Sequence, residues 1–492
     1  MTRPFSLDNY GAFGITLDGE HDDSPGLNTL LAGTPPNATF QLPDGAALAS
    51  LARLLVGVAG HQLAFGAGAK LALLPGAGTM DSFVDLAADD LVTRDMEIAG
   101  DPTATAKISG WRALSSPKRT RLLGRTYVHD TTDCGGKAPG VADIHIEDYR
   151  AVNTVLCGLR AQNNVNTGPA RVIIDRSFID RSMRPASGVG AASQPNLQII
   201  GTPDNYTLVL LSNIENRGVI EPVDHTAECC ELRYCRGKVA GYDSLDGSMG
   251  LSIVYGDGPL VASAIGIKGP NLFCLEFANT GNKTLIGFSL DGTNSAGVAV
   301  CRRVLCIDGM LPDAKIAVIG GTIKGATDSC VFVNSNGWAD LDFVSVDVDA
   351  SKVTGAIYGE RYGFNFVAQP GSIGSKRTMF QACSVHGGGA ATRALRAVNP
   401  SGLFGHIAVD GINGPLVEIV ADNYRVDNIR LTIDVGDGCP ASGHILLTPI
   451  NGGSFGDNIH FNGNGLVPGA QTGFLAATQP LLTEDGQRIA LS

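Results

Sequence analysis

The residues best placed to do chemistry sit in the run Val344-Ser-Val-Asp-Val-Asp349, where Asp347 and Asp349 stand two apart. On an extended strand such residues face the same way, about 6.5–7 Å from each other. With Val344, Val346 and Val348 turned inward, both carboxylates point outward. Glycosidic hydrolysis needs two carboxylates, about 5–5.5 Å apart for retention of configuration or about 6.5–9.5 Å for inversion. Matching positions in neighbouring segments hold Asp291, Lys324 and His386, so an outward ladder of Asp291, Lys324, Asp349 and His386 is expected. Tyr358, Glu360, Arg361 and Tyr362 follow closely, and Trp338 precedes the same strand. Aromatic faces present apolar contact area to a sugar ring. Trp338, Tyr358 and Tyr362, with Arg361 and Asp291, therefore read as substrate-binding, and Asp347, Asp349, His386, Lys324 and Glu360 as catalytic. A lyase would instead need a base and a cation beside a uronate, for which Lys324, Arg361 or His386 would serve. The same residues support both reactions. The four ladder residues Asp291, Lys324, Asp349 and His386 also precede Gly or Ala, where Asp, Asn and His suit a turn with positive φ, and Asn413 and Asn462 occupy the same place.

A second group, Asp175, Arg176, Asp180, Arg181, Glu215 and Arg217, alternates acids with arginines and reads as surface ion pairs. Asp243 and Asp246 read as loop turns. His129, Asp130 and Asp133 have a metal-binding composition without a defined ligand spacing, and no metal or cofactor is expected. Gly452-Gly-Ser-Phe-Gly456 spells a nucleophile elbow but lacks the strand-to-helix context. No Walker loop, HExxH or EF-hand loop occurs.

The elements that must position these residues show in a repeat. Alternating apolar residues, a polar residue and then Gly or Ala recur at Asp291, Lys324, Asp349, His386, Asn413, Asp437 and Asn462, in steps of 33, 25, 37, 27, 24 and 25. Period-two alternation closed by a turn residue describes one rung of a parallel β-helix, each rung burying its inward side chains on the rung before. Less regular units begin at Ile144, Val172 and Leu208. The expected architecture is all-β: a single-stranded, right-handed parallel β-helix over residues 60–466, with a cap over 1–59 and a tail over 467–492. A period near 25 gives about 14 to 16 rungs. Asp23-Ser-Pro-Gly-Leu-Asn-Thr-Leu-Leu-Ala32 carries helix-start signals and Leu27, Leu30 and Leu31 on one face, predicting a capping helix. Ala46–Val56 suits a second helix or an apolar first rung. Ser182–Asn196 reads as a loop on one rung.

Composition agrees. Of 492 residues, 64 are glycine, about twice the usual share of about 7%, and they lack a collagen period. Asp and Glu number 48 against 36 Lys and Arg, a net charge of −12, with no polybasic patch, which argues against nucleic acid as a partner. No apolar run is long enough for membrane insertion. The N-terminus lacks the apolar stretch of a secretory signal, and the 11 scattered cysteines read as reduced and buried in a protein folded in cytoplasm.

The opening residues resemble the pectate-lyase-like β-helix domain of bacteriophage tailspikes and related polysaccharide enzymes. That pattern is an Asp, an aromatic residue and Gly-Ala, then a Gly-Asp-Gly, an Asp-Asp-Thr, a short helix and an apolar strand ending in Pro-x-Gly. Here Asp8-Asn-Tyr10-Gly11-Ala12-Phe13-Gly14 leads to Asp22-Asp23-Ser24, the Leu-rich helix and Phe40-Gln-Leu-Pro43-Asp-Gly45. Gly-Asp-Gly is replaced by the longer Gly14-Ile-Thr-Leu-Asp18-Gly19. The motif's role is structural, its Asp pair capping the helix. The resemblance implies a homotrimer on a virion tail, made in the host cytoplasm, released by lysis and joined to phage tail or baseplate proteins. It further implies a bacterial surface polysaccharide as partner, which the chain binds and depolymerises. A non-catalytic adhesin of a tail fibre and a polysaccharide lyase are the alternatives.

Overall fold

The computed structural model describes residues 10–104, 106–114, 119–139, 142–162, 171–181, 194–218, 228–334, 336–337, 339–369, 371–389 and 391–467. The predicted Trp338, most of the Ser182–Asn196 loop and nearly all of the 467–492 tail lie outside them. The chain forms two compact units, Met1–Ser248 and Met249–Ser492. Each is a parallel β-solenoid, the fold that the repeat and the opening motif predict.

In the first unit, long strands Thr120–His129, Asp143–Val152, Thr207–Arg217 and Cys235–Leu245 belong to one parallel ladder set. Shorter strands, including Ser109–Ala113, Cys134–Pro139 and Cys157–Gln162, form a second. The second unit repeats the plan. Lys283–Asp291, Lys315–Lys324, Asp340–Asp349 and Arg377–His386 stack in one ladder, and Cys301–Asp308, Ala326–Asn334, Tyr362–Phe366 and Arg393–Val398 in the other.

Most of the long strands are bent by a left-handed residue near their middle. Gly124, Asn213 and Gly241 do this in the first unit, and Ala264, Gly287, Gly320, Ser345 and Ala382 in the second, all with φ between 50° and 67°. Such a residue reverses the inward–outward phase. In Asp340–Asp349, Leu341 and Phe343 are buried before Ser345, and Val346 and Val348 after it. Val344, expected inward, is therefore only half-buried. Strict alternation from Val348 backwards fails there because an L-residue at positive φ, costing about 1–3 kcal/mol, turns the corner.

The interiors are stacks of like on like. Phe343 and Phe380 stack at 5.5 Å, with Phe364 and Phe366 set edge-on against both. In the first unit, buried Trp111 meets Tyr149 edge-on, and the Tyr149 hydroxyl donates to Gly158 O at 2.8 Å. The indole leaves no room on the next rung: a Cβ at Gly136 would lie 2.3 Å from Trp111 Cε2.

The predicted capping helix spans Ser24–Gly33 and buries Leu27, Leu30 and Leu31. Ala46–Val56 holds the strands Ala47–Ser50 and Leu54–Val56, so this stretch is rung rather than helix. The Asp pair divides its work differently from the expectation. Asp23 makes no side-chain cap, because its carboxylate accepts from Thr16 N at 2.7 Å and Leu17 N at 3.3 Å. Asp22 accepts from Ser24 N at 3.1 Å and from Leu51 N at 3.0 Å, tying the helix start to the first strands.

Cysteine chemistry also departs from the expectation. Cys134 and Cys157, register partners on adjacent rungs, are disulfide-bonded. Stacking of identical inward positions places them together, a proximity that a 23-residue separation conceals. The free cysteines other than Cys439 are buried, and burial pushes the Cys229 thiol up to about 12, which removes it as a nucleophile.

Candidate functional site

The predicted ladder exists as a register column. Asp291 pairs with Lys324, Lys324 with Asp349, Asp349 with His386, and His386 with Asp410. Much of its chemistry is committed to turns. Asp291 accepts from Thr293 N at 2.9 Å and Thr293 Oγ1 at 2.7 Å, and Asp349 from Ser351 N at 2.8 Å. Lys324 Nζ lies 3.4 Å from Asp291. Asp347, in the adjacent outward column, accepts from Ser384 Oγ and lies 3.3 Å from His386 Nε2. Asp347 and His386 are 45% and 42% exposed, so this pair is open to a ligand.

Glu360, Arg361, Tyr358 and Tyr362 are not part of that column. They precede or open the strand Tyr362–Phe366 of the other ladder. Glu360 receives a two-point contact from Arg303, Nη2 to Oε1 at 2.6 Å and Nε to Oε2 at 3.1 Å, and a third bond from Ser329 Oγ at 2.8 Å. The Arg303 guanidinium lies between the Phe332 and Tyr358 rings, 3.4 and 4.6 Å from their centroids. Arg302 donates to the Tyr358 hydroxyl at 2.8 Å, and Tyr362 meets Arg393 and Arg396. Asp328 accepts from Tyr358 N at 2.7 Å. These contacts fasten the segment 351–361 onto the sheet. Nine of the ten residues named from sequence thus fall into two groups on different sheets, and the tenth, Trp338, lies outside the described residues.

A third arrangement lies in the first unit, among residues that read as ion pairs and turns. Register places Glu97, Tyr127, Arg150, Phe178, Glu215 and Asp243 in one outward column. Glu215 and Asp243 are direct partners on neighbouring strands. They line a cleft of about 450 Å³ with Asp148, Arg150, Arg176 and Phe178. Asp148, largely buried, sits 3.3 Å from Arg176 and 3.7 Å from Arg150. Arg217 reaches Glu215 at 3.3 Å and lies over the Phe178 ring at 5.4 Å. Although the side chain is exposed, desolvation by the cleft wall, then the Glu215 charge, raise the Asp243 carboxyl above the usual carboxylate range. Among the described residues no group donates to the Asp243 carboxyl. The cleft joins a pair of acids, a proton held above its ordinary value and an aromatic ring.

A signal for this pair was present in the sequence. Asn213-Ile-Glu215 and Gly241-Tyr-Asp243 share the order of a corner residue, an inward apolar residue and an outward acid, 28 residues apart. Among the described residues no group of three or more His, Cys, Asp or Glu is placed to hold a metal ion. Asp133 of the proposed metal-like loop is instead bound by Lys137 and by Ser109 Oγ at 2.8 Å. No helix among the described residues is long and apolar enough to cross a membrane.

No protein-family model matches the sequence, and no curated protein matches it. Solved structures similar to it include the enzymatically active domain of bacteriophage CBA120 tailspike protein 2, at 12% identity and a TM-score of 0.41, covering 77% of this chain and 51% of that one. The Dettilon tailspike protein is 10% identical with a TM-score of 0.33, covering 85% of this chain and 67% of that one. A family 28 exopolygalacturonase of Yersinia enterocolitica is 10% identical with a TM-score of 0.28, covering 94% and 77%. This chain spans about half the length of the first of these.

Proposed function

We propose that this chain binds a bacterial surface polysaccharide and hydrolyses its glycosidic bonds at Glu215 and Asp243. The observation that carries the reading is their direct register pairing in a cleft that raises the Asp243 pKa. Neighbouring strands lie about 4.8 Å apart, which suits the shorter carboxyl separation of retaining hydrolysis, about 5–5.5 Å. Asp243, protonated further up the pH scale than an ordinary carboxyl, donates its proton to the leaving glycosidic oxygen. Glu215, ion-paired with Arg217, attacks the anomeric carbon. Water then releases the sugar as Asp243 takes back a proton. Phe178 supplies apolar contact beside the scissile bond. The opening motif supports a setting in which the chain works as a homotrimer attached to phage tail or baseplate proteins.

A second reading places a lyase at Asp347 and His386, with Lys324 as the cation. The open 3.3 Å contact between Asp347 and His386 favours it, and Asp349 and Asp291 of the neighbouring column would then flank the bound glycan.

The test is incubation with capsule and lipopolysaccharide glycans from a host panel, followed by chain-length analysis. Hydrolysis yields reducing ends alone and is lost in Asp243→Asn and Glu215→Gln. Elimination yields ultraviolet-absorbing unsaturated ends and is lost in His386→Ala and Asp347→Asn. Binding without shortening of any glycan would leave only an adhesin.

A further inference from the structure

We infer that a second cleft, built around Tyr127, is a distal subsite that takes a hydroxyl-rich sugar ring of the polysaccharide bound at Glu215 and Asp243. The identity of the ligand rests on the function proposed above; the geometry is independent of it.

Tyr127 belongs to the same outward column as Glu215, three strand steps away. At about 4.8 Å per step this is about 14 Å, and about 19 Å to Asp243, a span of several sugar rings along the rungs. The cleft encloses about 440 Å³ and has a largely apolar floor of Phe65, Ala69 and Met96, with Asp95 and Glu97 as polar walls. That combination of an apolar base and a few convergent polar groups is what small-ligand recognition uses.

Tyr127 is held in a stack along its own strand. The Arg125 guanidinium lies over the Tyr127 ring, 4.8 Å from its centroid, and His129 stacks at 4.7 Å with an interplanar angle of 28°. Residues at i, i+2 and i+4 share one face, and the left-handed Gly124 turns the strand just before Arg125. His129 is steadied by Asp130 at 2.7 Å and Glu97 at 3.7 Å. With both neighbours in place the ring cannot rotate freely. Its hydroxyl has no acceptor among the described residues. Burial first, then Glu97 and Asp130, raise the phenol pKa, so the hydroxyl keeps its proton and is a donor at neutral pH. A preordered donor, a guanidinium and two carboxylates around an apolar floor match the hydroxyls and the apolar face of a pyranose.

The probe is whichever capsule or lipopolysaccharide glycan the full wild-type chain retards in affinity electrophoresis. Tyr127→Ala is expected to weaken retention at least tenfold, and Tyr127→Phe, which keeps the ring and loses the donor, at least threefold. The exposed loop change Val298→Ala serves as the control for handling. On glycans that are cleaved, Tyr127→Ala should raise KM on long chains while kcat stays within about twofold, and KM should no longer fall as the chain lengthens. Unchanged retention in both Tyr127 variants overturns the inference, and so does a wild-type chain that retards no glycan. Should Tyr127→Ala fail to fold, Tyr127→Phe decides alone. Loss of retention in Tyr127→Ala together with full cleavage by Asp243→Asn supports the subsite and refutes the catalytic pair, so the two readings fail separately.

Discussion

Replacing Asp243 by Asn removes the proton donor while keeping the side-chain volume. General acid catalysis contributes about 10²–10⁴ in rate, so kcat should fall by that factor, equivalent to about 2.7–5.4 kcal/mol of transition-state stabilisation. The partner residue supplies an independent gauge. Glu215→Asp keeps the charge and retracts the carboxylate by one methylene, about 1.5 Å. Misplacement by about 1 Å costs on the order of 10² in rate, so Glu215→Asp should fall by about that much and Glu215→Gln further. The register leaves little room for compensation, because the two strands pair with each other residue by residue from Ile214 with Tyr242 to Arg217 with Leu245. The pH profile should show the same residue: activity falls as pH rises through the elevated Asp243 pKa, placing the alkaline limb above the ordinary carboxylate range. The assay is initial release of reducing ends from a glycan that the wild-type chain shortens, between about pH 4 and 9. Activity of Asp243→Asn within about twofold of wild type, with the same alkaline limb, would refute the reasoning.

Three further outcomes concern the framework. Glu360→Gln weakens a mostly buried, two-point pairing with Arg303 and should destabilise the second unit by about 3 kcal/mol, the lower end for breaking such pairs; faster hydrogen exchange across 351–361 would show it, and unchanged protection would contradict it. Phe343→Ala removes the centre of the four-phenylalanine stack and should cost about 3–5 kcal/mol, read as a lower denaturation midpoint of the second unit, with Phe343→Leu losing less. Asp243 also predicts a stability slope. Its folded pKa lies above the unfolded value, so the folded state holds the proton more tightly. Its contribution is greatest below about pH 3.9 and declines as pH rises through the elevated value. The effect is small because the side chain is exposed and solvent-screened. Asp243→Asn should flatten this part of the denaturation-midpoint profile, and an unaltered slope would show that the carboxyl is unperturbed.

The repeat was legible because a solenoid writes its geometry into the chain. Asp291, Lys324, Asp349 and His386 precede Gly or Ala at the ends of apolar alternations, and the ladder pairs all four in order. Val344 was misassigned because alternation does not reveal a left-handed Ser345. Glu360 and the two tyrosines lie close in sequence to Asp349 but on another sheet, since each rung crosses from one face to the next within a few residues. The Glu215–Asp243 pair was missed for the converse reason: acids 28 residues apart become neighbours only when the rungs are laid in register.

Sequence alone thus determined the class of fold, the capping helix and the column of polar residues at the rung ends, because period-two burial and turn chemistry act over a few neighbouring residues. The tertiary structure decided which columns share a face, which carboxylates are used up in turns and ion pairs, and which one holds its proton above the ordinary value. Those properties depend on register between rungs and on local burial, and both are set by the length and packing of the chain between the residues concerned.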